Sequence, residues 1–179
     1  MNQITHAHLK AICPRTPAGK LALFVEPLNA AFEEFEISTP TRQAAFLAQA
    51  AHECMGFTAM NEFASGAAYE GRANLGNDQP GEGVRFKGRG IFQLTGDTNY
   101  AAAGTQLYLE SEWFRYNPEF AAEPGNACRI AGWFWHRNGL NALADKGDFR
   151  AITRRINGGY NGWDDRCAYW ERAKLALGA

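Results

Sequence analysis

The most restrictive feature of this sequence is one helix that is apolar almost all round. Thr39 can act as its N-cap, and Pro40 suits the first helical position. Residues 41–55 are mostly Ala, Leu and Gln, which favour helix, and Gly56 is a natural stop. A helix without a polar face is buried inside a fold. Other elements must therefore pack around this one.

Helical spacing of apolar residues recurs along most of the chain. It is seen at 4–12, 19–36, 97–111, 124–137, 139–145, 147–156 and 163–177. Residues 57–85 are instead rich in Gly, Ala, Asn, Ser and Asp, and 86–94 suit a short strand or a tight turn. We therefore predict a predominantly α-helical single domain over residues 1–179, with little β structure and loops around one open cleft. The pattern also allows a small helical lobe around 100–130.

Composition narrows the class of protein further. The 179 residues suffice for one hydrophobic core, and the net charge of −1 gives no reason to expect nucleic acid as a partner. No run of 18 apolar residues is present, so we expect no membrane span. The N-terminal segment lacks the apolar core of a secretory signal, which predicts a protein made and kept in the cytoplasm until it is released.

The four cysteines, Cys13, Cys54, Cys128 and Cys167, lie far apart in the sequence and form no C-x-x-C pair. This spacing argues against a structural zinc site. A chain of this size also has no need of disulfides for its stability. We therefore expect buried, reduced thiols.

A lone carboxylate, Glu53, lies near the end of the apolar helix. Glutamate is rarely buried without a reason, and removal from water raises the pKa of a carboxylate. A carboxylic acid that stays protonated near neutral pH is what a general acid needs. We therefore expect Glu53 to be shut away from water; the alternative is a glutamate that reaches solvent at the helix end.

A second carboxylate, Glu62, follows nine residues later. On one unbroken helix nine steps turn about 180°, but Gly56 ends the helix and lets the chain fold back. Glu62 stands among Asn61, Ser65 and glycines, a wetter setting that should leave it ionised. Two carboxylates in unlike environments suit divided acid and base roles. Glu70 competes with Glu62 for the second role.

Two polar loops offer groups that suit a sugar. In 86–101, glycines allow close approach of a ligand, and Gln93, Thr95 and Asn99 can bind hydroxyls, acetamides or a water. The segment INGGYNGW (156–163) adds Asn157 and aromatic residues. The pattern argues against a phosphate loop, because no Gly stands three residues after Gly90 and no G-K-[ST] is present. By contrast, the aromatic residues at 133–135 are expected to pack in the core.

Parts of the sequence partly match the patterns of two other mechanisms. His52 and Glu53 match the start of the zinc motif H-E-x-x-H, but Gly56 replaces its second histidine. A cysteine hydrolase would pair Cys54 with a histidine. Because helix neighbours point in different directions, only the distant His136 is plausible for that pair.

Four segments together resemble glycoside hydrolase family 19. They are FLAQAAHECMGF (46–57), YEGR (69–72), FKGRGIFQLTGDTNYA (86–101) and RRINGGYNGWDDRCAYW (154–170). The family includes plant and bacterial chitinases and phage endolysins, and the resemblance spans residues 40–170. It implies a lysozyme-like helical fold and hydrolysis of β-1,4-linked N-acetylated amino-sugar polymers with inversion.

The resemblance also implies roles for single residues. Glu53 matches the general acid, and Glu62 matches the position that short phage enzymes use as general base. Thr95 falls where the family often has Ser and would help hold the water. The remaining expected substrate-binding residues are His52, which would support the acid, Arg166, which lies near the carboxylates, and Tyr69, Gln93, Asn99 and Asn157. Inverting enzymes hold their carboxyl groups roughly 6.5–9.5 Å apart, and retaining ones about 5 Å. We therefore predict the wider spacing for Glu53 and Glu62.

These expectations favour a phage endolysin that cleaves peptidoglycan between N-acetylmuramic acid and N-acetylglucosamine. Such an enzyme would need no metal or cofactor, act as a monomer, and reach the wall from the host cytoplasm through a holin pore. A chitinase acting on N-acetylglucosamine polymers is the alternative. A wall-binding protein without catalytic activity is a further one.

Overall fold

The computed structural model describes residues 3–179, which contain ten α-helices. These are α1 His6–Ile12, α2 Ala18–Glu34, α3 Pro40–Glu53, α4 Glu82–Arg85, α5 Asp97–Tyr108, α6 Trp113–Tyr116, α7 Pro124–Arg137, α8 Leu140–Asp145, α9 Phe149–Asn157 and α10 Trp163–Leu177. None of them combines the length and apolar character needed to cross a bilayer. In this described part, β pairing is limited to isolated bridges that Arg89 forms with Asn61 and Leu94. The predicted, predominantly α-helical fold is confirmed.

Helix α3 lies at the centre of the fold, as its composition predicts. The hydroxyl of Thr39 accepts a hydrogen bond from the backbone N–H of Arg42 at 3.2 Å and caps the helix. All residues from 43 to 51 are buried. Helix α10 packs most extensively against α3, while α1 packs against both α10 and α2. The apolar surface of α3 is thus covered by elements that are distant in the sequence.

Aromatic residues fill the core between α2, α3 and α7. The ring of Phe46 meets Phe32 at 5.2 Å and Trp135 at 5.3 Å, both edge to face. Trp135 is fully buried and Trp133 nearly so, which confirms the predicted packing role of these two residues of α7. Each large side chain removed from water contributes on the order of 2–3 kcal/mol. This aromatic cluster packs α3 against α2 and α7 at Phe46.

The long segment between α3 and α5 is irregular, as predicted, but it is ordered by its own side chains. It contains 3-10 helices at Ala67–Tyr69 and Ala73–Leu75, and the short α4, which the sequence pattern did not predict. The Glu70 carboxylate accepts the backbone N–H groups of Gly81 at 2.5 Å and Gly83 at 2.8 Å. Charge-assisted hydrogen bonds of this kind are strong, so Glu70 serves to close this loop.

Residues 97–137 hold the region in which a small lobe was expected. Helix α5 packs on α6, and a 3-10 helix at Pro118–Ala122 leads from α6 into α7. Arg115 of α6 is paired with Asp97 at the start of α5, with 2.6 Å between nitrogen and oxygen. The division of the chain into a main body and a small lobe stays a prediction.

Candidate active site

The first cluster of candidate residues lies where the end of α3 meets the start of α10. Nη2 of Arg166 donates to Oε1 of Glu53 at 2.5 Å, and Nη1 donates to Oε1 of Gln49. Nε of Arg166 donates to the carbonyl of Asn161 at 3.0 Å. The arginine side chain is 1% exposed, and that of Glu53 is 21% exposed. Because a buried guanidinium needs partners on all sides, Arg166 holds Glu53 at the solvent edge of the cluster.

The prediction that Glu53 would be shut away from water is wrong. Helix α3 is buried from 43 to 51, but Glu53 is its last residue, where the side chain reaches the open side. The distinctive feature of its surroundings is the buried cation of Arg166. A proton donor gains negative charge as its proton leaves. A cation already in position stabilises that charge.

Gln49 and Thr153 continue the cluster into the core, and sequence analysis did not assign them to the site. The Gln49 amide donates to Oγ1 of Thr153 at 2.7 Å, and that hydroxyl donates to the carbonyl of Phe149 at 3.0 Å. Gln49 had a detectable signal, since it is a polar residue one helical turn before Glu53 in an apolar stretch. Thr153 had none, because it meets Gln49 across 104 residues of chain.

His52 lies beside Glu53 and supports the end of α3 from the outside. Its Nδ1 is 2.7 Å from Oδ2 of Asp165, a residue that sequence analysis did not assign to the site. The ring rests directly on Gly162, because a Cβ added there would lie 2.1 Å from Cε1 of His52. The predicted supporting role of His52 therefore rests on contacts with α10 and the loop before it. The sequence did carry a signal for Asp165, because Asp164 and Asp165 stand directly before Arg166.

The loop between α9 and α10 brings Asn157 toward this cluster. Oδ1 of Asn157 accepts the backbone N–H of Asn161 at 3.2 Å, and the Asn161 carbonyl in turn accepts from Arg166. Tyr160 is 39% exposed and lies beneath the guanidinium of Arg150, 4.2 Å from ring centroid to Cζ. Asn157 thus borders the Glu53 cluster through Asn161, whereas Tyr160 is held against Arg150.

The second cluster is built around Glu62. Its Oε1 accepts from the Tyr69 hydroxyl and its Oε2 from the backbone N–H of Gly88, both at 3.0 Å. Burial and the bond to Glu62 raise the pKa of Tyr69, so its phenol keeps its proton and remains a donor. A carboxylate has about four lone-pair sites, which leaves Glu62 capacity to accept a proton from water. Glu62 is partly buried, less open to solvent than predicted.

Gln93 lies next to Glu62. A Cβ added to Gly88 would lie 2.6 Å from Oε1 of Gln93 and 3.1 Å from Oε2 of Glu62, so both oxygens lie over the same glycine. Gln93 itself has a left-handed backbone with φ of 52°, unusual for a residue other than glycine. Its amide donates to the carbonyl of Gly90 at 2.8 Å. The predicted tight turn within 86–94 therefore places Gln93 against the carboxylate.

Thr95 and Asn99 extend the second cluster toward a small cavity. Oγ1 of Thr95 donates to the carbonyl of Gln93 at 2.8 Å, and the Asn99 amide donates to the carbonyl of Thr95 at 2.7 Å. Because the Thr95 proton is already used, this hydroxyl is available to a water as an acceptor. These three side chains line a cavity of about 260 Å³ together with residues of α7 that include Trp133 and Arg137.

One short segment joins the two clusters. After α3 the residues Met55, Gly56 and Phe57 all have positive φ, which turns the chain sharply. The N–H of Ala59 donates to the carbonyl of Cys54 at 3.0 Å, and Gly90 donates to the carbonyl of Met60 at 2.8 Å. Three extended residues span at most about 10 Å, so the chain from Ala59 keeps the second cluster close to the first. The carboxyl spacing of an inverting enzyme stays a prediction.

The alternatives from sequence analysis find less support in this geometry. Both oxygens of Glu70 are bound to backbone amides of its own loop. Cys54 is fully buried, its thiol donates to the carbonyl of Ala50, and burial raises its pKa. His136 is exposed on α7, where its ring is close to Phe35. A buried, protonated thiol is not a nucleophile.

The cysteines are all free thiols, as expected. Cys13, Cys54 and Cys128 are buried, while Cys167 is only partly buried on α10. The expectation of burial is therefore wrong for Cys167, because α10 turns that residue partly toward solvent.

The chain is similar to known proteins both in sequence and in fold. No family profile matches the chain. A glycosyl hydrolase family 19 domain-containing protein of Haemophilus influenzae is 30% identical over an alignment 176 positions long, which covers 79% of this chain and 83% of that protein. An endochitinase of Arabidopsis thaliana is 39% identical over 117 residues, which cover 65% of this chain. The chain matches only 39% of the length of that plant protein.

The fold is shared with solved chitinase structures. The crystal structure of a bacterial family 19 chitinase superposes with a TM-score of 0.78 at 22% sequence identity. The superposition covers 98% of this chain and 95% of that one. At this level of identity the likeness concerns the fold, and it agrees with the lysozyme-like helical architecture predicted from the sequence.

Proposed function

Since this chain belongs to glycosyl hydrolase family 19, we propose that it cleaves the β-1,4 bond between N-acetylmuramic acid and N-acetylglucosamine in peptidoglycan. One observation carries the glycosidase part of this proposal: two carboxylates in neighbouring clusters are each held by dedicated partners. Glu53 is paired with the buried Arg166, and Glu62 is bound by Tyr69 and the backbone of Gly88. Such an arrangement suits one acid and one base acting on the same bond.

In the proposed mechanism Glu53 is the general acid. It transfers its proton to the glycosidic oxygen while the bond between that oxygen and the anomeric carbon breaks. The departing sugar leaves as a neutral alcohol, and Glu53 becomes a carboxylate. The guanidinium of Arg166, 2.5 Å away, then stabilises the new negative charge without having to move.

Glu62 is the proposed general base. It accepts a proton from the water that attacks the anomeric carbon on the face opposite the leaving group, so the product has inverted configuration. The Glu62 partners keep the carboxylate oriented, and Gln93 beside it is positioned to bind the same water. Thr95 would accept a hydrogen bond from that water. This scheme requires the two carboxyl groups to be roughly 6.5–9.5 Å apart.

Neutral amides of the site are proposed to bind the sugar. Asn99 and Asn157 each use one atom to hold their own loop, and the amide group retains a further donor or acceptor for acetamide and hydroxyl groups. His52 is proposed to fix the end of α3 through Asp165. The scheme uses no metal ion or cofactor.

A chitinase is the second candidate, favoured by the similarity to an Arabidopsis endochitinase. Both polymers have β-1,4-linked N-acetylated sugars, and they differ in the acidic lactyl group and peptides of muramic acid. Purified protein should be incubated with bacterial sacculi and, separately, with chitin oligosaccharides. We expect release of reducing ends from sacculi. Mass analysis should find fragments with N-acetylmuramic acid at their reducing end. Cleavage of chitin without any cleavage of sacculi would overturn the peptidoglycan assignment.

The proposal includes host-cell lysis as the biological setting, with passage from the host cytoplasm to the wall through a holin pore. Production in bacteria together with a holin should cause rapid loss of turbidity, and production of either protein alone should not. Lysis by this protein in the absence of a holin would contradict the proposed route.

A further inference from the structure

A cavity of about 540 Å³ opens beside the first cluster. It lies where the loop after α1, the end of α3 and the first turns of α10 meet. His52 and Asp165 form one wall, and each is the immediate neighbour in sequence of Glu53 or Arg166. The cavity therefore lies next to the backbone that carries the proposed acid, although the Glu53 side chain does not line it.

Two arginines face into this cavity, Arg15 and Arg172. The Arg172 guanidinium lies 4.5 Å above the ring of Tyr169, which also lines the cavity. Burial raises the pKa of Tyr169, whereas Arg172 and Arg15 lower it, so both cations are close to this ring. The carboxylate of the cavity, Asp165, is already bound to His52. Two guanidinium groups remain to balance a negative charge from outside.

The backbone that carries Arg15 is held rigidly. The Lys10 ammonium donates to the carbonyls of Pro14 and Thr16, both at 2.9 Å. Oγ1 of Thr16 donates to the carbonyl of Gly56 at 2.8 Å, which ties the loop to the turn after α3. The Arg15 side chain makes no hydrogen bond or ion pair with any residue that the structure describes. Because the backbone is already fixed, binding of a ligand by Arg15 has to order only the side chain.

Arg172 is anchored in a way that leaves part of its guanidinium available. Its Nε donates to the carbonyl of Ile12 at 2.8 Å, and its two terminal nitrogens are not engaged by residues within 3–179. Guanidinium groups bind carboxylates through two parallel hydrogen bonds, which gives the pair both strength and direction. Arg15 and Arg172 thus provide two guanidinium groups in the cavity that can donate hydrogen bonds to a carboxylate.

We propose that this cavity binds a carboxylate carried by the N-acetylmuramic acid residue of the substrate. The carboxylate belongs either to the lactyl group or to the peptide attached to it. The inference rests on the proposed function, because it assigns a subsite for the acidic polymer next to the proposed acid. Chitin carries no carboxylate, so the cavity would favour peptidoglycan over chitin.

Binding measurements on inactive protein test the assignment. In a Glu53→Gln background, calorimetry would compare three probes: chitotetraose, a peptide-free muramic acid tetrasaccharide, and the same glycan with its stem peptides. Arg15→Gln should weaken binding of carboxylate-bearing glycan about five- to tenfold and leave chitotetraose unchanged. Arg15→Lys should restore part of the loss. The stem peptide is joined to the lactyl carboxyl as an amide, so a response from the peptide-free probe alone identifies the lactyl carboxylate. A response from the peptide-bearing probe alone identifies a carboxylate of the peptide, and a response from both shows that the cavity accepts either.

The control is Lys146→Gln, which removes one positive charge from an exposed position after α8. It should leave all three affinities unchanged. An equal effect of Arg15→Gln on chitotetraose and on the acidic probes, or no effect on any, would overturn the assignment. The proposed function is tested separately by cleavage of sacculi. If sacculi resist the wild-type protein while the Arg15 effect persists, the function fails and the carboxylate site stands.

Discussion

Arg166 and Glu53 lie 113 residues apart in sequence and form an ion pair of 2.5 Å between a fully buried cation and a partly exposed carboxylate. The same guanidinium is bound to Gln49 and to the carbonyl of Asn161. Helices α3 and α10 are therefore linked at the point where the proposed acid meets solvent. Any change in this arginine should be felt both in stability and in catalysis.

Replacing Glu53 by Gln should lower kcat by about 10²–10⁴-fold, because the amide cannot donate the catalytic proton. The glutamine oxygen can still accept from Arg166, so the melting temperature should change little. Reducing-end release and thermal unfolding measure the two effects. Glu26→Gln, at an exposed position of α2, is the matched control with unchanged activity. Full turnover in the Glu53 variant would show that another residue is the acid. Binding to sacculi without turnover in either protein would support the wall-binding alternative.

Arg166→Lys should reduce both stability and kcat. Lysine keeps the charge but cannot reach Gln49, Glu53 and the Asn161 carbonyl at once, so buried acceptors lose their donors. The free energy of unfolding should fall by about 1–3 kcal/mol. Urea denaturation and steady-state kinetics on one preparation check this. If kcat falls while stability stays the same, the structural role assigned to Arg166 is incorrect.

The Glu62→Gln and Glu70→Gln variants should differ clearly in activity and in stability. Glu62→Gln removes the proposed base and should lower kcat about 100-fold or more. Glu70→Gln weakens the bonds to Gly81 and Gly83, so it should cost about 1 kcal/mol of stability and spare most activity. Kinetics combined with unfolding curves of both variants decide the matter. The opposite pattern would make Glu70 the base.

Gly88→Ala should damage the second cluster through steric contact alone. The new methyl group would lie 2.6 Å from the amide oxygen of Gln93 and 3.1 Å from Oε2 of Glu62, so at least one of these must move. A displacement near 1 Å in a catalytic group costs on the order of 100-fold in rate. Gly125→Ala on α7 is the matched control, since nothing lies within 4 Å of the added carbon. Activity that survives Gly88→Ala would place the water-binding groups elsewhere.

Cys54 should be dispensable for activity and slow to react. Burial raises the pKa of this thiol, and similar burial affects Cys13 and Cys128. In native protein a thiol reagent should therefore label Cys167 first, and all four cysteines should react after denaturation. Cys54→Ala should retain cleavage of the glycan. Loss of peptide-bond cleavage in that variant would revive the cysteine-hydrolase hypothesis.

Local sequence was sufficient for much of the fold. The start of α3 followed from Thr39 and Pro40 because capping is an interaction between close neighbours in the chain. Its burial followed from the lack of any polar face. The short α4 was not predicted, because four residues carry too little periodicity and this helix depends on the contacts of its loop.

The candidate site was likewise predicted in part from the sequence and decided in part by the tertiary structure. Sequence alone, read with the family resemblance, identified both carboxylates and the polar turn after them, since these residues break apolar or glycine-rich patterns. Only the tertiary structure decided what each carboxylate touches: Arg166 reaches Glu53 across 113 residues, and Thr153 reaches Gln49 across 104. It also showed that Glu53 is partly exposed and paired with a buried cation, whereas the sequence had predicted a glutamate shut away from water. Such contacts arise when whole helices pack, and packing depends on the complete set of buried surfaces rather than on any one segment.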